Sequence, residues 1–177
     1  MAGREADGCT PPEARPESRC TKYFTSIVTT PVDQHDRQGS FLDALGTLSD
    51  FQIFYGHFQT DRVVCRQCGH TYDDHHEKMT DVNIAVNLIS DFFQNSADLA
   101  ILVSGDGDLA DLVRTALRLF PSKRIVVAFP PGRFSNDLRL ATPLHTHIGR
   151  DLLAKSQLPE EIVRPDGYVL RRPAEWH

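Results

Sequence analysis

The stretch ILVSGDGDLADL, residues 101–112, decides the fold: an apolar run stops at a serine, two glycines and two aspartates, and a helical pattern follows at once. Gly105 and Gly107 permit a tight turn there, and one aspartate suffices to cap the helix by accepting its unpaired N–H groups. The second aspartate is surplus to local folding. The run LAILV before the turn and RIVVAF further on (124–129) are almost wholly apolar, as strands buried on both faces are. The helix-patterned KMTDVNIAVNLISDFF precedes the first of them and LADLVRTALRLF separates them. Strands alternating with helices predict an α/β fold around a mainly parallel sheet.

Outside this centre, KYFTSIVTT (22–30) and FQIFYGHFQ (51–59) read as strands, and Phe41, Leu42, Leu45 and Leu48 recur at helical spacing between them. SNDLRLAT predicts a short helix before Pro143, HTHI a last strand, and IVRPDGYVL a hairpin or an extended tail. Residues 1–20, polar and proline-rich, predict a disordered segment; 21–158 form the domain, with an insertion at 62–77, and 159–177 form the tail or hairpin. The N-terminus lacks the greasy centre of a secretory signal and no apolar run reaches membrane-spanning length, so a cytoplasmic protein is expected, with Cys9 and Cys20 as free thiols. The net charge of -5 argues against a generally basic nucleic-acid binder, but the charge is uneven. Residues 1–110 carry 8 Lys+Arg against 17 Asp+Glu, and residues 111–177 carry 11 against 7, so the second part can hold a polyanion near the acids of the first.

Ligands of an open parallel sheet gather at the carboxyl ends of its strands, where Asp106 and Asp108 stand. Asp81 opens the preceding helix and reaches the same edge if the loop before it bends inward. Three gathered carboxylates repel one another and call for a cation; oxygen ligands suit Mg2+ or Mn2+, which polarises a phosphoryl oxygen and acidifies a bound water. The plainer reading makes Asp108 a helix cap, Asp106 a turn residue and Asp81, or Thr80 beside it, another cap; Ser104 either orients a water or ends its strand.

CRQCGHTYDDHHEK (65–78) spaces Cys65 and Cys68 as in a zinc knuckle, with His70, His75 and His76 near enough to complete a structural Zn2+ site, His75 and His76 being the pair favoured; the alternatives are a reduced hairpin or a solvent loop. Such a site would pin the loop that delivers Glu77, Lys78 and Asp81. Arg114 and Arg118 share a helix face and, with Lys123, Arg124, Arg133 and Arg139, are candidate phosphate contacts or a solvated surface. Tyr55 and Phe134 are candidates for base stacking, or core aromatics.

EKMTDVNIAVNLI followed by DLAILVSGDGDLADLVRTAL resembles the NYN domain family, a branch of the PIN-like metal-dependent ribonucleases, and KYFTSIV, YGHF, PSKRIVVAFPPGRFSNDL and LPEEI follow in the family's order. The resemblance spans residue 20 to about 162. It implies a Rossmann-like, PIN-like three-layer fold and a metal-dependent endoribonuclease with RNA as substrate, Asp81, Asp106 and Asp108 as catalytic metal ligands, Lys78 as the lysine of the lysine-x-x-aspartate motif, and Ser135 as a late-helix serine. One departure stands out. The family opens with an apolar strand ending in aspartate-glycine-x-asparagine, whereas here ADGCT, with Asp7, echoes the letters with no apolar run before it. Impaired catalysis is therefore expected, and two explanations compete: the chain is a shortened form of a longer protein, or a homodimer or partner chain supplies the missing strand. The rival reading is a non-catalytic RNA-binding or protein-interaction module; a haloacid-dehalogenase-type phosphatase, suggested by GDGD, lacks the early aspartate-x-aspartate nucleophile.

Overall fold

A computed structural model describes residues 20–28, 31–173 and 176, with residues 73–77 described by their main chain only. The disorder expected of residues 1–20, and with it Asp7 and Cys9, lies outside the described residues except for Cys20, a free, exposed thiol. In chain order the elements are β1 (Thr21–Thr25), α1 (Val32–Leu45), β2 (Phe51–Tyr55), β3 (His57–Val64), β4 (Thr71–Lys78), α2 (Thr80–Phe93), β5 (Leu99–Val103), a short 3-10 turn (Gly107–Leu109), α3 (Ala110–Leu119), β6 (Arg124–Phe129), α4 (Asn136–Ala141), β7 (His145–His147), α5 (Arg150–Lys155), β8 (Glu161–Val163) and β9 (Val169–Arg171).

β5, β6 and β7 form a parallel sheet, with Leu99 opposite Arg124 and Val127 opposite His145. Strand alternation turns Ile125, Val127 and Phe129 of β6 to one face, where all three are fully buried. Phe92 of α2, Val113 and Ala116 of α3 and Leu138 of α4 close over them, with Ala100 and Leu102 of β5 packed alongside. This is the core. The alternate residues of β5 point the other way, and Leu99, Ile101 and Val103 are 45, 63 and 56% exposed. The α/β class with parallel pairing stands; full burial of LAILV does not, because no described element covers that face of β5.

β1 and β2 form a second parallel pair. Tyr23 meets Phe41 of α1 edge to face at 6.1 Å, while its neighbour Lys22 reaches α2, its ammonium 2.7 Å from Asp91 and 3.1 Å from the Asn87 Oδ1. α1 and α2 thus lie on opposite faces of this pair. Lys22, near the start of β1, meets the last turns of α2, and Asn83 in its first turn donates to the Tyr55 carbonyl at the end of β2. α2 therefore runs antiparallel to β1. It runs antiparallel to β5 as well, since the few residues joining them are held at one end by Lys123, whose ammonium binds Asp98 at 2.6 Å and also Asn95. Consequently β1 and β5 point the same way, and their carboxyl ends share one rim with the start of α2.

Several expectations change in detail. FQIFYGHFQ is two strands broken at Gly56, where a Cβ would lie 2.5 Å from both the Lys78 carbonyl oxygen and the Ser26 Oγ. The insertion at 62–77, for which a hairpin is one of the alternatives, is the end of β3 and most of β4, an antiparallel hairpin running from His57 opposite Lys78 to Val64 opposite Thr71. The tail is the β8–β9 hairpin, turned at Gly167 (φ +85°), which buries Leu170 near α1 while Trp176 meets Phe41 at 6.1 Å. No helix among the described residues is long and apolar enough to cross a membrane.

Candidate acidic site and its surroundings

β5 ends at Val103, and the next residues build the turn from their own side chains. The Ser104 Oγ accepts the Asp106 N–H at 3.0 Å, and the Asp106 Oδ1 accepts the Asp108 N–H at 3.0 Å. Asp106, not Asp108, is thus the cap, and Ser104 shapes the turn. Gly105 is required by a close approach, because a Cβ there would lie 2.6 Å from the Arg133 Cβ. Asp106 and Asp108 remain exposed.

Asp81 lies in the first turn of α2, and the residue in the cap position is Met79, at φ +77° and with no side-chain cap bond. Neither Thr80 nor Asp81 thus stands at the cap position expected of it. Asp81 shares the rim with Asp106 and Asp108, yet among the described residues no three His, Cys, Asp or Glu side chains stand close enough to hold one metal ion. Lys78 is exposed at the end of β4. Two further acids that the sequence reading passed over join Asp108 in a shallow cleft: Asp111 and Asp137, with Arg114. Asp137 belongs to the first turn of α4, which is capped by Ser135 through its Oγ and the Leu138 N–H at 3.3 Å.

The basic residues separate by role. Arg114 donates to Asp111 at 2.7 Å and to the Asp137 carbonyl at 3.4 Å, tying α3 to α4; Arg118, one turn on, is exposed. Lys123 is buried against Asp98, which removes it from the candidate phosphate contacts. Arg133 is exposed beside Gly105. Next to it Phe134, 53% exposed, lies 4.8 Å from Phe129 and stacks on His147 at 5.9 Å with 18° between the planes. Tyr55 is also 53% exposed.

At the tip of the β3–β4 hairpin Cys65 donates its N–H to the His70 carbonyl at 2.8 Å, and Gly69 (φ +72°) donates to the Cys65 carbonyl at 2.9 Å. The N–H groups of Cys68 and Gln67, with the Cys68 thiol, bond to the Cys65 sulfur and hold its pKa below the ordinary thiol value. His75 and His76 pair with Thr60 and Gln59, four and five steps down the ladder from Thr71. At ~3.3 Å per residue that is about 13–17 Å, too far for one tetrahedral ion with ligand atoms ~2.0–2.3 Å away. By main-chain register His75 and His76 stand apart from the cysteine pair, which His70 adjoins at the hairpin tip; the side chains of His75, His76 and Glu77 lie outside the described residues.

The profile of the NYN domain family matches residues 19–149. No curated protein matches the chain. A crystal structure of a protein of unknown function from Vibrio parahaemolyticus is similar to 75% of this chain over 70% of its own, with 23% identity and a TM-score of 0.48.

Proposed function

The chain belongs to the NYN domain family, and from that premise we propose that it is a metal-dependent endoribonuclease acting at the rim that carries Asp81, Asp106 and Asp108. The observation that carries this reading is the turn after β5, which presents two exposed carboxylates beside the exposed Arg133 and Phe134. The donors are all oxygen and suit Mg2+ or Mn2+ in kind. They do not converge as three, so the set is incomplete among the described residues. When bound, such an ion polarises a phosphoryl oxygen and acidifies a water.

The chain's own residues account for substrate binding. Arg133 and Arg118 offer charge to backbone phosphates, and Lys78 does so near the start of α2. Phe134, held at a fixed tilt by Phe129 and backed by His147, offers a flat face to a base of single-stranded RNA. Arg114 serves first as a brace, since its guanidinium is engaged by Asp111 and the Asp137 carbonyl.

The test is cleavage of a generic single-stranded RNA during Mg2+ and Mn2+ titration, with Asp106→Asn as control. Cleavage that requires the ion and disappears in the variant supports the proposal. The second reading, a non-catalytic RNA-binding module, draws on the carboxylates' failure to converge. It requires no cleavage at any metal concentration and RNA affinity that is equal or higher in the variant.

A further inference from the structure

The tip of the β3–β4 hairpin is built around sulfur. Cys65 and Cys68 are free thiols, and Cys68 is exposed. The Gln67 and Cys68 N–H groups bond to the Cys65 sulfur, as does the Cys68 thiol, so the two sulfurs lie side by side. Gly69 (φ +72°) turns the chain back, and the Cys65 N–H closes the loop on the His70 carbonyl at 2.8 Å. A Cβ at Gly69 would meet nothing within 4 Å, which leaves that side of the turn open. Such a tip is prepared for one side of a zinc ion: thiolate is a preferred zinc ligand, and the backbone N–H groups fix the sulfur and spread its charge.

A structural zinc takes four ligands, and this pair is half of that set. Among the described residues no third His, Cys, Asp or Glu side chain joins the two sulfurs, His70 included. The tip stands seven ladder steps from the root of the arm at His57 and Lys78, about 23 Å at ~3.3 Å per residue. A second arm can therefore meet it end to end while the two domains stay apart. The surroundings of the pair suit that meeting. Arg66, between the cysteines, is an exposed cation, and Val64, next to Cys65, is an exposed apolar side chain.

We infer that the hairpin tips of two copies of this chain clamp one Zn2+ between them, each copy giving Cys65 and Cys68. A two-fold axis through the ion turns one pair into the other, so a single CxxC completes a tetrahedron of sulfur. On binding, each thiol gives up its proton to solvent and its sulfur electron pair to the metal. Four thiolates around a doubly charged cation leave an excess of negative charge, which Arg66 of each copy offsets, and the contact covers Val64. None of the acidic-rim residues takes part, so this reading and RNA cleavage succeed or fail separately.

The full chain, kept reduced with a phosphine, is titrated with Zn2+ alone and followed by sedimentation velocity and metal analysis, with Co2+ as the spectroscopic probe. Uptake should saturate at half an ion per chain, monomer should become dimer in step with it, and a chelator should reverse both. The Co2+ form should show the charge-transfer bands of four thiolates. The double variant Cys65→Ser/Cys68→Ser should lose uptake and dimer together with its circular dichroism unchanged, because the tip is exposed; its residual uptake is the baseline for metal bound elsewhere. Asp106→Asn should alter neither readout. His70→Gln, His75→Gln/His76→Gln and Cys9→Ser should keep the half-ion end point. The inference is overturned by uptake no greater than that of the double-serine variant, by one ion on each monomer, by a dimer indifferent to zinc or to the two serines, or by loss of the end point in any of the histidine variants or in Cys9→Ser.

Discussion

Replacing Gly105 with alanine tests how the acidic turn is seated. The new Cβ would lie 2.6 Å from the Arg133 Cβ, 3.0 Å from its carbonyl carbon and 3.2 Å from its Cα. Unstrained carbon contacts fall near 3.5–4.0 Å, so the chain must open by about 1 Å. Two of the three opposing atoms are backbone, and Arg133 is fixed by its N–H bond to the Pro130 carbonyl at 3.1 Å, so no flexible side-chain end can yield instead. Overpacking of this kind costs about 1–3 kcal/mol. For a chain of this size that lowers Tm by roughly 2–12 °C. The assay is thermal and urea unfolding followed by circular dichroism, with Gly39→Ala as its counterpart. Gly39 lies inside α1 with nothing within 4 Å of a Cβ, and the same exchange there should stabilise by about 0.5–1 kcal/mol. A Gly105→Ala protein as stable as the wild type would refute the packing of this turn against Arg133.

Asp106→Asn should keep the cap, because an amide oxygen can still accept the Asp108 N–H, and should leave Tm almost unchanged while removing metal-dependent cleavage; Asp106→Ala should also cost about 1 kcal/mol in urea unfolding. Phe134→Ala should weaken single-stranded RNA binding by the ~1–3 kcal/mol of one stacked base, measured by anisotropy titration, with little change in Tm because the ring is 53% exposed. The Cys65 thiol is depressed in the folded chain, so its alkylation by iodoacetamide, followed by mass spectrometry against pH, should have a midpoint below the ~8.5 of a free thiol and move up towards it in urea.

What was legible in the sequence was whatever the local pattern alone specifies. Apolar runs such as RIVVAF name their strands because three residues of one face are driven into the core together, and the α2 and α3 periodicities name their helices for the same reason. The turn after β5 was legible too, since its glycines and aspartates serve a tight bend and a helix cap, though which aspartate caps was not. Less legible was anything fixed by a partner distant in the chain. Lys123 reads as a surface cation until Asp98 and Asn95 arrive from the end of α2, and Asp137 joins the cleft only because α4 folds back beside Gly107. β4 could be offered only as one alternative, for a different reason: TYDDHHEK has no alternating apolar face, and it is a strand because β3 supplies a ladder along its whole length.

That ladder closes beside its own roots. His57 faces Lys78 where the hairpin leaves and rejoins the domain, and Gly56 is pressed against the Lys78 carbonyl at the same point. Entry and exit thus coincide in space, which makes residues 57–78 a detachable module: their length and chemistry can be altered, or the whole arm exchanged for a tight link, with the parallel sheets left in place.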